Sequence, residues 1–311
     1  MTVTKKHARA LDRVAIVLLI VGFGVAAYRF IAPFRALALM AAGRTPNCTA
    51  SQILSARAVN DRHEAEAERL AKASRKIAQD PQGLELWETP KGKFWVPSFQ
   101  SELLTFLLAE QERGIYGTGE RGIQPGDTVL DCGAHVGVFS RRALASGAKL
   151  VVAVEPSPKI VECLRRNLAE DIAAGRAIVY PKALWDSEGP LPFEVNDINT
   201  GQGSVVERAQ NGAREILVPL TTVDRMMEEL KLARVDFIKM DIEGAETRAL
   251  AGARATLAQY HPRLAICVYH KADDPVRVRL VVRQAWPGYR TECGPCEDQF
   301  SKIIPETLLF Y

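Results

Sequence analysis

Four ionisable side chains crowd the end of the apolar segment 235–240, those of Lys239, Asp241, Glu243 and Glu246. Alternate residues of a strand share a face, so Lys239 and Asp241 are expected on the same side. The two glutamates lie three residues apart where a helix would begin, and the helix dipole favours carboxylates there. Groups that hold or accept protons at one point predict a reaction site, and the alternative is a structural pair of Lys239 with Asp241.

A glycine-rich turn follows another apolar segment. Gly133 and Gly137 come after Asp131 in the order D-x-G-x-x-x-G. Glycines let the backbone approach a ligand and enter a helix without a Cβ clash. The spacing differs from the G-x-G-x-x-G of dinucleotide-binding proteins, and an acid here suits a cofactor with an ammonium and a sulfonium group. The alternative is an ordinary strand–helix turn.

A second acid, Glu155, ends the apolar segment 151–154, and it follows Asp131 by 24 residues. At the tip of the neighbouring strand, a carboxylate can accept both ribose hydroxyls of an adenosine. This spacing predicts an adenosine-containing cofactor and leaves both S-adenosylmethionine and a nicotinamide dinucleotide open.

These residues need a frame that brings strand ends together. From about residue 84, apolar runs of strand length alternate with helix-length segments, which predicts an α/β, Rossmann-like fold: a mostly parallel twisted sheet with helices on both faces. The predicted strands are 128–130, 150–154, 177–180, 235–240 and 264–269. Two more strands, 191–195 and 216–220, flank a polar loop whose Asn196, Asn199, Thr200 and Ser204 are candidates for contact with an acceptor.

Taken together, these motifs resemble the FkbM-type methyltransferases. The resemblance covers residues 84–311, and its most specific part is IKMDIEGAE at 238–246. It also rests on residues 89–97, Glu110 with Tyr116, 125–137, 155–157, 183–186 and 269–270.

The resemblance implies that S-adenosylmethionine is the cofactor and assigns the residues around it. It implies that Asp241 lies near the reacting methyl group. One departure is His135, where such proteins more often have a small polar residue such as Asn. Asp131, Gly133, Gly137 and Glu155 would hold the cofactor, and Ala183 to Asp186 would flank its adenine.

The implied reaction is attack of a substrate oxygen on an electrophilic methyl group, with the protein supplying position and a base. Asp241 is the first candidate base and His270, whose ordinary pKa is near neutral, is the second. Lys239 is the third catalytic candidate. The expected acceptor is a small-molecule, glycan or lipid-linked hydroxyl, and the sequence specifies neither an individual acceptor nor an oligomeric state.

Two other functions compete with methyl transfer. A nicotinamide-dependent oxidoreductase would need a third glycine and a turn that favours anions, where this chain has Asp131. A catalytically inactive, membrane-attached binding module would not need the acids at 131, 155 and 241, which are all present.

The N-terminal segment predicts a membrane anchor over residues 1–45, followed by a helical linker over 46–83 and the catalytic domain over 84–311. The uncharged apolar run 14–28 is 15 residues long, shorter than the roughly 20 residues that span a bilayer. A single span, a hairpin that turns at Pro33 and a cleaved signal peptide all fit, and a soluble core helix is the alternative.

Charge divides the chain in the same way. Residues 1–60 carry a net charge of +7, which leaves −4 for the rest of the +3 chain. The basic segment suits anionic lipids, and the acidic domain argues against nucleic-acid binding. Because S-adenosylmethionine is made inside cells, we expect the domain to face the cytoplasm, with both flanks of a hairpin on that side.

The six cysteines predict neither a disulfide framework nor a metal site. Most of them lie in apolar runs, where a free cysteine behaves as a small buried hydrophobe, and this favours a reducing compartment. Cys293 and Cys296 copy a thioredoxin-type C-x-x-C but lie near the C-terminus, so we expect two incidental thiols. No second Cys or His pair has the spacing of zinc ligands.

Overall fold

The computed structural model describes residues 18–195, 214–299 and 301–311. The chain divides into two compact units. The first contains Met1–Asn60 and Cys296–Ile304, and the second contains Asp61–Pro295 and Pro305–Tyr311. The first unit therefore combines the N-terminal segment with a short piece from near the C-terminus.

The second unit is built on a seven-stranded sheet in the order β12-β15-β11-β10-β4-β5-β6. The strands β4, β5, β6, β10 and β11 pair in parallel, and β15 runs antiparallel to both of its neighbours. The prediction of a mostly parallel sheet is confirmed. These strands are β4 (Thr128–Cys132), β5 (Leu150–Val154), β6 (Ala177–Tyr180), β10 (Phe237–Met240), β11 (Arg263–Cys267), β12 (Thr291–Cys293) and β15 (Thr307–Phe310).

Both faces of this sheet are covered, because alternate residues of its apolar strands enter two different cores. Leu130 and Ile238 pack with residues of α8–α11, while Val129 and Phe237 pack with residues of α5 and α6. These helices are α5 (Val138–Ala145), α6 (Pro158–Asn167), α8 (Val223–Glu229), α9 (Glu246–Ala251), α10 (Arg254–Tyr260) and α11 (Asp274–Ala285). A short helix, α7 (Ala169–Ala173), follows α6.

Two small sheets flank the main one. The first, β1-β2-β3, precedes the helix α4 (Ser101–Glu112), and the second has the order β7-β9-β8. The predicted strands at 191–195 and 216–220 correspond to the antiparallel pair β8 and β9. The bounds are β1 (Arg75–Gln79), β2 (Leu84–Thr89), β3 (Gly92–Pro97), β7 (Ala183–Leu184), β8 (Gly189–Val195) and β9 (Arg214–Thr221).

The first unit has a small core of its own, formed by helices and one hairpin. Side chains of Leu39, Ile53 and Ile303 are buried there together. The guanidinium of Arg35 donates two hydrogen bonds to Asp298, at 2.5 and 2.7 Å. The elements are α1 (Leu18–Phe30), α2 (Ala32–Ala41), the start of α3 (Ala50–Lys72), β13 (Cys296–Gln299) and β14 (Lys302–Pro305).

A disulfide joins Cys48 to Cys296 within this unit, across 248 residues of sequence. The expectation that Cys293 and Cys296 are two incidental thiols is therefore wrong for Cys296, and of the two only Cys293 remains a thiol. The partner of Cys296 could not be found by local spacing, because folding brings together segments from opposite ends of the chain.

The expected anchor helix is not found as a single span. Within the described residues, no one helix is long and apolar enough to cross a bilayer. The helices α1 and α2 satisfy the length and composition criteria only as a pair, and they meet at an angle of 104°. Pro33 lies in the first turn of α2, immediately after this bend.

Candidate active site at the carboxyl ends of three strands

The candidate site lies where β4, β5 and β10 end at the same edge of the sheet. β4 is the central strand of the three, and it places Asp131 opposite Ala153 of β5 and opposite Lys239 of β10. Glu155 and Asp241 each come directly after the last residue of their strand. In an open parallel sheet this edge is where ligands bind, so local sequence and topology converge on one crevice.

Gly133 allows the closest backbone approach in this region. Its φ is +80°, and a Cβ built there would lie 1.8 Å from the carbonyl oxygen of Asp241. The amides of Gly133 and Ala134 both donate to the carbonyl of Val154, at 3.0 and 2.9 Å. The turn after β4 is thereby tied to the end of β5 and packed against the residue after β10. Only glycine fits at this position.

Asp131 and Lys239 form a buried ion pair under that turn. Their carboxylate and ammonium are 3.3 Å apart, and Asp131 has no exposed surface. Lys239 also donates to the carbonyl of Gly133 at 2.7 Å, while Ser140 donates to Asp131 at 2.6 Å. Burial opposes the ammonium, but the charges of Asp131 and Asp241 outweigh it and raise the pKa of Lys239. Lys239 therefore pairs with Asp131 and not with Asp241, the partner that the structural alternative in the sequence analysis gave it.

Glu155 is held at the tip of β5 by backbone donors. Its oxygens accept the amides of Ser157 at 2.9 Å and of His135 at 3.2 Å. Burial raises the pKa of Glu155 to about 7. A carboxylate has about four acceptor positions, so two remain for hydroxyl donors from a ligand.

His135 lies between these acids in the glycine turn, with a positive φ of 50°. Its Nε2 is 2.8 Å from Oε1 of Gln100, so the pair is hydrogen-bonded with the imidazole as donor. Burial, reinforced by the charge of Lys239, lowers the pKa of His135 to about 4. The other ring nitrogen, Nδ1, is buried and has no hydrogen-bond partner among the described residues. In the neutral imidazole this nitrogen is an acceptor.

Asp241 lies at the centre of a side-chain network. The hydroxyl of Tyr116 donates to its Oδ2 at 3.2 Å, and that of Tyr269 donates to its Oδ1 at 3.3 Å. The same Tyr116 hydroxyl oxygen also lies 2.9 Å from Oε1 of Glu110. About a fifth of the Asp241 side chain is exposed, so this carboxylate can reach a substrate while its neighbours orient it.

His270 is surrounded by carboxylates. Its ring nitrogens lie 3.1 Å from Glu246, 3.5 Å from Glu243 and 3.6 Å from Asp241. Although burial opposes the imidazolium, these acids, Glu246 first, raise the pKa of His270 to about 9. Burial and the charge of Asp241 raise the pKa of Glu243 to about 7. At neutral pH His270 is therefore a cation and cannot accept a proton, which favours Asp241 as the base.

The same cluster has the size of a metal site, since ligand atoms of Asp241, Glu246 and His270 all lie within 4.8 Å of one another. A metal ion would need the neutral imidazole as a ligand. Here the imidazole pairs with three acids, and Glu246 accepts the amide of Ile242 at 2.9 Å. We therefore interpret the cluster as a network of ion pairs.

The remaining predicted residues are farther from this network. Ala183 is buried in β7, three residues after Tyr180, whose carbonyl accepts the amide of Glu155 at 3.2 Å. Asp186 accepts a hydrogen bond from Arg248 at 2.6 Å. The polar loop with its four candidate acceptor residues lies outside the described residues, so that hypothesis stays a prediction.

Residue types and spacing alone assign no role to Glu110, Tyr116, Tyr269 or Gln100, all of which enter the site. The signal for Glu110, Tyr116 and Tyr269 is that they belong to the motifs shared with the FkbM-type methyltransferases. Gln100 had no such signal, because an isolated glutamine before a helix has no distinctive spacing.

The profile of the methyltransferase FkbM domain matches residues 131–291. The methyltransferase sdnD of Sordaria araneosa is 27% identical over 210 residues, which are 56% of this chain and 79% of that protein.

Solved structures with a similar fold include the methyltransferase FkbM of Methylobacillus flagellatus. It is 19% identical with a TM-score of 0.47, over 88% of this chain and 65% of that one, so this chain spans just under two thirds of its length. The Aeropyrum pernix fibrillarin, solved with bound S-adenosyl-L-methionine, is 10% identical with a TM-score of 0.38, over 76% of this chain and 98% of that one.

Proposed function

The chain belongs to the FkbM methyltransferase family, and we propose that it transfers the methyl group of S-adenosylmethionine to a hydroxyl of a glycan, lipid-linked or secondary-metabolite acceptor. The observation that carries this proposal is the meeting of Gly133, Glu155 and Asp241 at one edge of the sheet. It combines an adenosine-type subsite with a partly exposed base.

The residues at the ends of β4 and β5 fit S-adenosylmethionine. Glu155 retains acceptor positions for the ribose hydroxyls, and Gly133 removes the side chain that would otherwise fill the turn. The unpartnered Nδ1 of His135 can accept from the cofactor's ammonium group. Asp131 is fully buried against Lys239, so we propose that it acts by fixing the turn. Ala183 and Asp186 remain proposed neighbours of the adenine.

In this mechanism, S-adenosylmethionine supplies an electrophilic methyl group on a sulfonium. Asp241 accepts the proton of the acceptor hydroxyl as its oxygen attacks, and Tyr116 and Tyr269 keep the carboxylate in position. Cationic His270 lies 3.6 Å from Asp241 and attracts its carboxylate. Lys239, paired with Asp131, orients the turn beside the reacting groups.

Two experiments test the function. The melting temperature of the purified protein should rise with S-adenosylmethionine and not with NAD, because binding to the folded state stabilises it. An untargeted comparison of methylated metabolites and glycolipids, in cells with and without the protein, should reveal an acceptor whose methylated form disappears. Stabilisation by NAD alone would reject the proposed cofactor.

We further propose that the first unit attaches the protein to a membrane surface, with the catalytic unit on the cytoplasmic side. The support is the exposed apolar surface of α1 and α2 in the described residues, together with the net charge of +7 in the sequence of residues 1–60. Exposed apolar residues of these helices include Leu18, Leu19, Phe23, Val25, Phe30 and Leu37. Basic charge in the same segment as exposed apolar side chains favours anionic lipids.

Flotation with vesicles of anionic or neutral phospholipid tests this attachment. Leu19→Glu combined with Phe23→Glu should abolish flotation with anionic vesicles, whereas Leu217→Glu, which changes an exposed leucine of β9, should not. Equal flotation of the parent, the double variant and the Leu217→Glu control would reject the proposed surface.

Labelling of intact cells tests the orientation. Reporter cysteines at Val3 and Arg62, read by peptide mapping, should both be protected from an impermeant reagent. The oxidation state of the Cys48–Cys296 bond is an independent measure of the orientation, since disulfides are rare in the cytosol. If thiol trapping in cells finds this bond fully oxidised and Arg62→Cys is labelled, the cytoplasmic orientation is wrong.

A further inference from the structure

Glu110 is a buried carboxyl group that the mechanism above does not use. It lies on α4 with only 9% of its surface exposed, and no lysine or arginine among the described residues forms an ion pair with it. Its hydrogen-bond donors are the hydroxyl of Tyr116 at 2.9 Å and the side-chain amide Nε2 of Gln111 at 3.4 Å. An unpaired buried acid is costly to ionise, so its position next to the base calls for a physical explanation.

The hydroxyl of Tyr116 connects Glu110 to Asp241. Its oxygen is 2.9 Å from Oε1 of Glu110 and 3.2 Å from Oδ2 of Asp241. A phenol carries one proton, so it cannot donate to two ionised carboxylates at once. When one carboxyl is protonated, both contacts become hydrogen bonds. The geometry therefore suits three groups that share one additional proton.

The surroundings of Glu110 bring the pKa of its carboxyl group close to neutral pH. The charged and titratable groups that face it are Asp241, Tyr116, Lys239 and Arg113. Burial raises the pKa of Glu110 to about 7, and the charge of Asp241 adds to this effect. Burial also raises the pKa of Tyr116 well above its ordinary value. Tyr116 thus stays protonated and can pass a proton only by giving one as it receives another.

We propose that Glu110 is a positioning residue for proton removal: it receives, through the hydroxyl of Tyr116, the proton that Asp241 takes from the acceptor. The proposal rests on the methyl-transfer function above. The acceptor O–H bond breaks as its oxygen bonds to the methyl carbon and the carbon–sulfur bond breaks. Asp241 then gives its proton to the Tyr116 oxygen while the Tyr116 proton moves to Glu110, which later releases it to solvent.

This relay returns Asp241 to its ionised form without requiring solvent at the base. Glu110→Gln keeps the shape of the side chain but cannot accept a proton, and Tyr116→Phe interrupts the path while leaving both carboxyl groups. Each variant should lower kcat about tenfold at pH 7, a smaller loss than that expected for the base itself. The affinity for S-adenosylmethionine should stay within about threefold, because neither residue touches Glu155.

The dependence of kcat on pH separates a relay from a merely structural role. In the parent protein kcat should rise with pH through about 7, as Glu110 loses its proton and becomes able to accept another. That rise should disappear in Glu110→Gln. The matched controls are Glu112→Gln, an exposed acid on the same helix, and Tyr289→Phe, a buried tyrosine that donates to Pro262 at 2.8 Å. Both should keep the parent profile.

A titration of the resting protein tests the proposal without any turnover. In ¹³C NMR of protein labelled at the glutamate carboxyl carbons, three resonances should titrate near pH 7, those of Glu110, Glu155 and Glu243. One of them should vanish in Glu110→Gln and persist in Glu112→Gln. All three persisting in Glu110→Gln, or an unchanged kcat profile, would overturn the relay. Absence of methyl transfer with intact titration would instead overturn the proposed function.

Discussion

The two halves of the candidate site are built in different ways. At the ends of β4 and β5, backbone groups dominate: Glu155 accepts two amides, and the glycine turn is tied to the carbonyl of Val154. At the ends of β10 and β11, side chains dominate, and Asp241 is positioned by Tyr116, Tyr269 and His270. The first arrangement favours a fixed shape, and the second favours movement of protons among neighbouring groups.

This difference assigns binding to one half and chemistry to the other. A backbone frame costs no reorganisation when a cofactor enters. A network of acids and hydroxyls can exchange protons, and burial raises the pKa values of Glu110 and Glu243 in this network to about 7. Changes at β4 and β5 should therefore alter affinity or stability, whereas changes at β10 should alter turnover.

The largest effect is expected at Asp241. Asp241→Asn keeps the shape but removes the acceptor charge, so turnover should fall by about 10²–10⁴-fold. Its measure is single-turnover kinetics on protein whose folding is confirmed by its melting curve. Asp273→Asn, at an exposed aspartate before α11, is the control. If Asp241→Asn lost stability but turned over normally per folded molecule, Asp241 would be a structural residue only.

Gly133 should show the cost of crowding the backbone frame. Gly133→Ala places a Cβ against the carbonyl of Asp241, and we expect the free energy of unfolding to fall by about 2–4 kcal/mol. Gly175→Ala is a matched control, since φ there is +69° with open space around it. It should cost only about 1–2 kcal/mol. If urea unfolding gives the same loss of unfolding free energy for Gly133→Ala and Gly175→Ala, the contact with Asp241 adds no cost to that of the positive φ.

His270 should make stability depend on pH in the side-chain half. Its pKa of about 9 in the folded state lies above its ordinary value of 6.5. The imidazolium therefore stabilises the fold fully below pH 6.5, and this contribution is lost as pH rises through 9. His270→Gln should be less stable than the parent at pH 6, with a smaller difference at pH 10. A constant difference across that range would mean that His270 is neutral in the folded protein.

The smallest effect should come from removing metal ions. If the cluster around His270 is a network of ion pairs, treatment with EDTA followed by desalting should leave methyl transfer unchanged. Activity that is lost with EDTA and regained with Mg²⁺ or Mn²⁺ would make Asp241, Glu246 and His270 metal ligands instead.

Much of the sheet could be predicted because its signals are local. Asp131, the glycine turn and Glu155 lie within 25 residues, and each follows a continuous apolar strand. The alternation of strands and helices also predicted a mostly parallel sheet, in which the strand before Glu155 is a neighbour of β4. It did not predict that β10 lies on the other side of β4. Short strands near the C-terminus were missed, because β12 and β15 have only three and four residues and little periodicity.

Side-chain partners were harder to predict than strands. The alternation that placed Lys239 with Asp241 ends at Met240, where the chain leaves β10, so Lys239 pairs with Asp131 instead. Tyr116 and Asp241 are 125 residues apart, and the two cysteines of the disulfide are 248 apart. Periodicity contains no information about such contacts, which depend on how the whole chain folds.

Calorimetric titration of S-adenosylmethionine into the parent, Glu155→Ala and Asp241→Asn tests the division between binding and chemistry most directly. Glu155→Ala loses two hydrogen bonds to a charged acceptor, each contributing roughly 1.5–3 kcal/mol, so its affinity should fall at least about 100-fold. Asp241→Asn should bind within about threefold of the parent, as should the control Glu170→Ala on the surface of α7. Parent affinity in Glu155→Ala, or loss of binding in Asp241→Asn alone, would contradict the account.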